Sequence, residues 1–476
     1  MLLTGNLKKD CEALKRTVDS DDIVFFSFLI DGVDATAVYS DTLADKNVIG
    51  KQVVEPLSEL KSKPCETELL KSVTLPGAEK LCDISDAADK IVDGDVIILT
   101  DGLKFAISAK SRNPAVRAVT EPPTSSVLKG PREGFVENMH TNVSLIRQRL
   151  KTPFFRYKKL SVGKYSQTSV GIVYLSGVAD ENLVNALKEK IEKINVDGIV
   201  DSSYIIKCIS DRKTTLFRQV GTTEKPDVLA AKLLEGRIAV MVDGSPIVLT
   251  VPLVLVEDFQ SGEDYYINAY RANFSRFLRL SAVILAIYLP AFFVSAQLFH
   301  LQIIPLNFLL TIVGSIKGIP LSPSVEMFLT LFIFEVLNEA SIRMPKYVGI
   351  AMSIVGALVL GETAVSAGIV STPTIIIVAL SGICIYTVPD LTETISVLRL
   401  IFLVVGGTFG GYGIILLSCA ILTYLSGLDS FGIPYLAPYA PLIKNDLQDA
   451  LTMSFYAETI KRPLTLKPEN KTRKKV

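Results

Sequence analysis

The residues best suited to chemistry in this chain are carboxylates placed where carboxylates are costly. Glu326, Glu335 and Glu339 lie in or beside the apolar run 325–342, which closes on Arg343 and Pro345. An ionised carboxylate in an apolar layer is unfavourable by several kcal/mol unless it meets water or a counter-charge. Glu335, Glu339 and Arg343 are spaced i, i+4, i+8 and so share one helical face, with Glu339 N-terminal to Arg343 in the sense that favours a pair. Two chemistries fit and both stay open: a water-lined, cation-attracting face of a pore, or an interfacial amphipathic helix with solvated acids.

Other reactive side chains offer less. His140 and His300, the only histidines, are too few and too separate to build a nucleophile, base and orienter, and the chain is not expected to be an enzyme. Cys11, Cys65, Cys82, Cys208, Cys384 and Cys419 show no CxxC or metal-ligand spacing; they read as reduced core residues, with no metal or cofactor implied. The glycine string 406–413 interrupts an apolar run instead of joining a strand to a helix, which excludes a nucleotide loop and suggests close packing or a break in a helix. Asp390 and Glu393, after Pro389, read as a solvated loop.

Charge divides the chain near residue 280. Residues 1–279 carry most of the charged side chains, and 280–428 only a handful. With 49 basic and 49 acidic residues and no basic cluster in a folded segment, the chain is not a nucleic-acid binder. Residues 280–299 are uncharged and long enough to cross a hydrocarbon core of about 30 Å. Arg271, Arg276 and Arg279 before them mark the cytosolic side. Further candidate spans are 325–342, 347–369, 373–388 and 400–425, while 303–316, bracketed by Pro305 and Gly314, is short enough to be partial. The tail 461–476 has seven basic residues and one acid, and it too should be cytosolic. Both ends on one side require an even number of crossings, and four full spans are preferred. Gly349, Ser353 and Gly356 form a small-residue ridge suited to helix packing; alternatively Ile354, Val355, Leu358 and Val359 form a hydrophobic constriction that gates by dewetting.

The soluble half repeats a pattern. Residues 94–102 read as a turn, a buried strand and an Asp-Gly turn, and 236–244 repeat it, each after an amphipathic helix, 84–91 and 226–234. A second match sets Gly32 on Gly177, aligning 25–34 with 170–180. Between the repeats, 121–139 reads as a linker and 141–150, with Arg147 and Arg149, as a solvated helix. The expected architecture is an α/β N-terminal soluble domain of two related subdomains plus an all-α polytopic membrane domain: 1–120, linker 121–150, 151–270, membrane 271–428 and a cytosolic tail 429–476.

Three stretches carry a family resemblance. They are the linker run Gly130-Pro131-Arg132-Glu133-Gly134-Phe135; the run from Glu235-Gly236-Arg237 through Asp243-Gly244 to Glu263-Asp264-Tyr265-Tyr266; and, in the apolar half, Glu335 to Pro345, 354–361 and 430–438. Together they resemble the A subunit of GerA-family spore germinant receptors. The resemblance implies a multi-pass protein among the lipids of the spore inner membrane, working with a permease-like B subunit and a lipoprotein C subunit. It also implies nutrient-triggered ion release through a homo-oligomer, proposed to be a pentamer. Ser341 stands where the family usually has Gly, and which nutrient is sensed stays open. The alternative class is a secondary transporter or permease, for which Pro305 and the glycines near 410 would supply broken helices.

Overall fold

Two five-stranded antiparallel sheets share one strand order. The first runs β1-β2-β4-β5-β3, with β1 Ile23–Ile30, β2 Val33–Ser40, β3 Glu79–Leu81, β4 Val96–Thr100 and β5 Ala106–Ala109. The second runs β6-β7-β9-β10-β8, with β6 Phe155–Val162, β7 Thr168–Leu175, β8 Gly221–Thr223, β9 Ile238–Val242 and β10 Val248–Val251. The computed structural model describes residues 2–112, 129–345, 348–349, 354, 356, 358–455 and 460–473. In both units the central strand, β4 or β9, is buried throughout and rich in β-branched residues, as suits a strand covered on both faces. Each follows a helix, Ile84–Asp93 or Pro226–Leu234. The first helix is capped by the Asp83 side chain accepting from Ser85 N, and Gly94 at φ 97° ends it in the left-handed conformation that turns the chain into β4.

The repeat is real but its register shifts along the chain. Helix Leu7–Thr17 and β1 reappear 132 residues later as helix Met139–Arg149 and β6 (Leu7 to Met139, Ile23 to Phe155). From β3 onward the shift is 142 (Glu79 to Gly221, Val96 to Ile238). The match of Gly32 with Gly177 is therefore corrected. Gly32, at φ 77°, lies in the turn between β1 and β2, whereas Gly177 follows β7. The counterpart of β7 is β2, because Val38 faces Ile97 as Val173 faces Ala239.

A second correction concerns the helix taken as solvated. Met139–Arg149 is the first helix of the second unit, and Arg147 is fully buried. Its Nε and Nη2 donate to the two carboxylate oxygens of Asp22, each at 2.6 Å. Ser40 and Thr42 hydroxyls, each at 3.1 Å, also donate to Asp22 Oδ2. Burial pushes the Asp22 carboxyl up, but Arg147's charge and the hydrogen bonds outweigh it and leave it below the ordinary carboxylate value. The described part of the linker, from 129 on, is a strap. Phe135 is buried in the second unit's core and its N donates to Glu224 O at 2.8 Å, while 113–128 lie outside the described residues.

In the apolar half, Ala269–Phe299 (the leading helix) and 389–426 are each long and apolar enough to cross a membrane. The second of these folds back on itself. Thr394 Oγ1 donates to Leu216 O at 2.6 Å, yet the Tyr424 ring sits 6.2 Å from that of the adjacent residue Phe217. Thirty residues of straight helix would separate those ends by about 45 Å. The fold-back is at Gly410, whose φ 63° and ψ −154° are not helical. The expected single span 400–425 is thus two arms of a helical hairpin, and the glycine string is its tip. A Cβ on Gly410 would meet Phe299 at 2.9 Å, which sets the tip beside the far end of the leading helix. Ala282, Ala286 and Ala291 of that helix pack against Ile395, Leu398 and Phe402 of one arm and Ile414 of the other. The cysteines depart from expectation as well: Cys384 is buried, but Cys65, Cys82 and Cys419 are exposed.

Candidate functional site

Three helices converge on one buried cation. Pro323–Arg343 brings Glu335, Thr372–Ile385 brings Ser381, and the first hairpin arm brings Arg399, which is fully buried. Arg399 Nη2 donates to Glu335 Oε1 and Nη1 to Ser381 Oγ at 3.1 Å. Ser381 in turn donates to Ala286 O of the leading helix at 2.9 Å, and the guanidinium lies 6.0 Å from the Phe334 ring centre. Arg399 Nε has no hydrogen-bond partner among the described residues. Four helices are therefore tied by one charged group, in apolar surroundings where an unpaired charge would be costly.

The expected face 335/339/343 divides. Glu339 and Arg343 pair as the spacing foretold, Nε to Oε1 at 2.8 Å, and both are exposed. Glu335 turns instead to Arg399, while Val336, Glu339, Ala340 and Arg343 continue the same face of Pro323–Arg343. Glu326 is buried and accepts from Ser371 N and Oγ, each at 2.7 Å. Pro345 accepts from Val348 N and Gly349 N, both at 2.9 Å, and so starts the next helical stretch. There a Cβ on Gly356 would meet Leu337 at 3.1 Å, the close approach expected of the small-residue ridge. Of the alternative constriction, Ile354 and Leu358 are exposed, and Val355 and the Val359 side chain lie outside the described residues.

A second charged assembly ties the soluble half to the leading helix. Fully buried Arg276 donates through Nε to Asp264 Oδ2 (3.2 Å) and through Nη1 to Asp449 Oδ1 (2.9 Å) and Ala450 O (2.7 Å). Arg279 holds both oxygens of Asp264 at 2.8 and 2.9 Å. These arginines, read from sequence as markers of orientation, are consumed in an ion-pair collar. Asp449 also accepts from Tyr265 OH at 2.9 Å, and burial drives that phenol well above its ordinary value. Asp390, expected to be solvated, pairs with Arg218 at 2.6 Å, and Arg218 lies 3.6 Å from buried Asp258. Burial pushes Asp258 up to about 7, an effect that Arg218 only partly offsets.

The motif residues of the soluble half lock the strap and the tail onto the second unit. A Cβ on Gly130, at φ 118°, would meet the Tyr266 ring at 2.7 Å; Pro131, Arg132 and Gly134 belong to the same strap, and Glu133 pairs with Arg149. Asp243 Oδ1 accepts from Met139 N at 3.1 Å and Gly244 N donates to Glu137 O at 2.8 Å. Arg237 bridges Glu235 (3.2 Å) and Glu257 (3.0 Å), and Gly236 at φ 102° leaves room for Val178 O and Pro468. The tail closes on this surface: Arg462 Nε donates to Leu234 O at 2.7 Å and Glu469 N to Val178 O at 3.1 Å.

Arg399 was missed in the sequence. The available signal was a lone arginine bordering a long uncharged run; its partner stands 64 positions away on another helix.

Comparison with known proteins matches residues 12–465 to the family described as Bacillus/Clostridium GerA spore germination protein. Spore germination protein KA of Bacillus subtilis (strain 168) is 35% identical over 483 residues, covering 99% of this chain and 89% of that protein. Spore germination protein GerLA of Bacillus cereus is 35% identical over 413 residues, covering 86% and 84%. Among solved structures, the N-terminal domain of the A subunit of the Bacillus megaterium spore germinant receptor GerK3 is 26% identical, with a TM-score of 0.43, covering 52% of this chain and 96% of that one.

Proposed function

The chain belongs to the Bacillus/Clostridium GerA spore germination protein family, and from that premise we propose that it is the A subunit of a nutrient germinant receptor in the spore inner membrane. Its relatives are spore germination proteins matched over most of their length, and spore germination is the process it serves. In this reading it works with a permease-like B subunit and a lipoprotein C subunit, carries out no catalytic chemistry, and assembles with further copies of itself, five in the form the family suggests, into a cation pathway opened by nutrient.

The observation that carries the reading is the Arg399–Glu335 pair, on the helix whose exposed face also bears Glu339 and Arg343. Ionisable residues within an apolar bundle mark ion or proton pathways, and Glu339, exposed beside Arg343, is the carboxylate of that helix open to water and to a passing cation. The topology agrees. The Arg218–Asp390 pair, the collar and the docked tail hold residues 276, 390 and 449 against the soluble units, so the helices between them leave and return to that side. Asn338, bonded to Tyr386 near that level, and Glu326, bonded to Ser371 deeper down, orient Pro323–Arg343 as a returning traverse.

The test is deletion of the gene in the spore-former that carries it. Spores are expected to lose germination by at least one nutrient and to regain it when the gene is restored. An unchanged response to every nutrient, in spores lacking the other receptors of this family as well as in those retaining them, would remove the proposal. Nutrient uptake by this chain alone in vesicles would favour a transporter instead.

A further inference from the structure

β1 and β6 hold equivalent positions at the outer edges of their sheets, yet the two edges are finished differently. Along β6 the chain segment 19–21 covers the edge: Asp21 N donates to Tyr157 O at 2.9 Å, Tyr157 N to Ser20 Oγ at 3.1 Å and Lys159 N to Asp21 Oδ2 at 2.7 Å. The outward backbone groups of β6 are therefore those of Tyr157 and Lys159. Through the shift of 132 residues these correspond to Phe25 and Ser27 in β1, and the two-residue period of a strand adds Leu29. Among the described residues no hydrogen bond reaches the backbone of these three apart from the β1–β2 ladder, and none of the three has a partner elsewhere.

The open edge is also apolar. It reads Ile-Val-Phe-Phe-Ser-Phe-Leu-Ile, with Phe26 47% and Leu29 56% exposed and the Phe26 and Phe28 rings stacked 6.5 Å apart. It has none of the devices that blunt an edge, neither a lysine nor a proline along the strand. Such an edge takes up an extended segment by main-chain pairing, with alternate side chains setting specificity.

Charge identifies the segment. Between Val18 and Ala44 there is no Lys or Arg, but there are six Asp, at 19, 21, 22, 31, 34 and 41. Asp19 and Asp22 are neutralised by Lys158 and Arg147, whereas Asp21, Asp31 and Asp34 are exposed and no ion pair among the described residues includes them. Antiparallel pairing of β1 with β1 of a second copy would bring Asp31 of one beside Asp21 and Asp22 of the other, which is repulsive. The geometry points to a different occupant: an extended, apolar segment of another polypeptide, flanked by lysine or arginine, that adds to β1 as a sixth strand.

The test uses the full chain in detergent micelles and a labelled peptide of about ten residues, alternating Thr and Val with two Lys at each end, followed by fluorescence anisotropy. Saturable binding is expected, at least tenfold weaker for the same peptide with Asp flanks or with alternate backbone amides N-methylated. Ser27→Pro removes an outward amide and should abolish binding; Phe26→Lys, whose fold is checked by circular dichroism, should weaken it at least tenfold. Equal binding of the Lys- and Asp-flanked peptides, equal binding after N-methylation, unchanged binding to the folded Phe26→Lys variant, or no binding at all would overturn the inference. So would a photo-crosslinker placed at Phe26 in native membranes that yields only a product of twice the chain's 51.9 kDa.

Discussion

Replacing Arg399 by Met keeps the volume of the buried side chain but removes the charge that holds Glu335 and Ser381. Breaking a buried pair by deleting one partner typically destabilises by about 3–5 kcal/mol. Glu335 is a quarter exposed and can draw in water, which lowers the expected loss for Arg399→Met to about 2–3 kcal/mol. Glu335→Gln leaves fully buried Arg399 facing only Ser381 and a weaker acceptor, so about 3 kcal/mol is expected there. The double variant leaves no stranded charge and should cost about 3 kcal/mol in total, well short of the sum, giving a coupling of about 2–3 kcal/mol. A neutral interhelical hydrogen bond in a membrane averages about 0.6 kcal/mol, so a coupling above about 1.5 kcal/mol distinguishes an ion pair from an ordinary bond. The assay is reversible unfolding in mixed micelles followed by circular dichroism, since the chain has no Trp. Additive single losses, with a coupling under about 0.5 kcal/mol, would refute the idea that this pair ties the helices together.

Three further outcomes follow from the same geometry. Gly410→Ala forces a side chain into a positive-φ position against Phe299 and should destabilise by about 1–3 kcal/mol, measured in the same micelle titration, whereas Gly361→Ala, with nothing near its Cβ among the described residues, should be nearly silent. Asp258, raised to about 7 by burial, takes up its proton more readily folded than unfolded; stability is therefore full below about pH 4, its unfolded range, and is lost as pH rises through about 7. Asp258→Asn should flatten that slope, and thermal unfolding of both proteins from pH 5 to 8 would show it. Arg147→Ala strands Asp22 between the two units and should cost about 3–5 kcal/mol. Because Asp22 is held below its ordinary value, the stability it contributes is present above about pH 4 and fades as the pH falls through its folded value, so the penalty of the variant should shrink in acid.

The sequence was most legible where one element carries its own signal. The two β-hairpins after their helices stood out because a buried β-branched strand between Gly94 and Asp101, or Gly236 and Asp243, depends only on neighbours in the chain. Helix Met139–Arg149 was misread because two arginines in one turn suggest water, and nothing local reveals that Asp22, 125 positions back, receives one of them. The hairpin at Gly410 was hidden because an apolar run of that length fits one span, and only the packing of Thr394 and Tyr424 on adjacent residues of the soluble unit shows two. Of the candidate site, the i, i+4 pair Glu339–Arg343 was readable, being helical geometry alone. Arg399 was not, since its role exists only when three helices meet.

The most direct test is cation flux from lipid vesicles holding this chain with the proposed B and C subunits, followed with a potassium-sensitive dye on addition of nutrient. Flux is expected to depend on nutrient and on all three subunits, with cations passing in preference to anions and the preference reduced in Glu339→Gln, the exposed carboxylate of Pro323–Arg343. Vesicles that stay tight to every nutrient, with the chain monomeric in the bilayer, would contradict it.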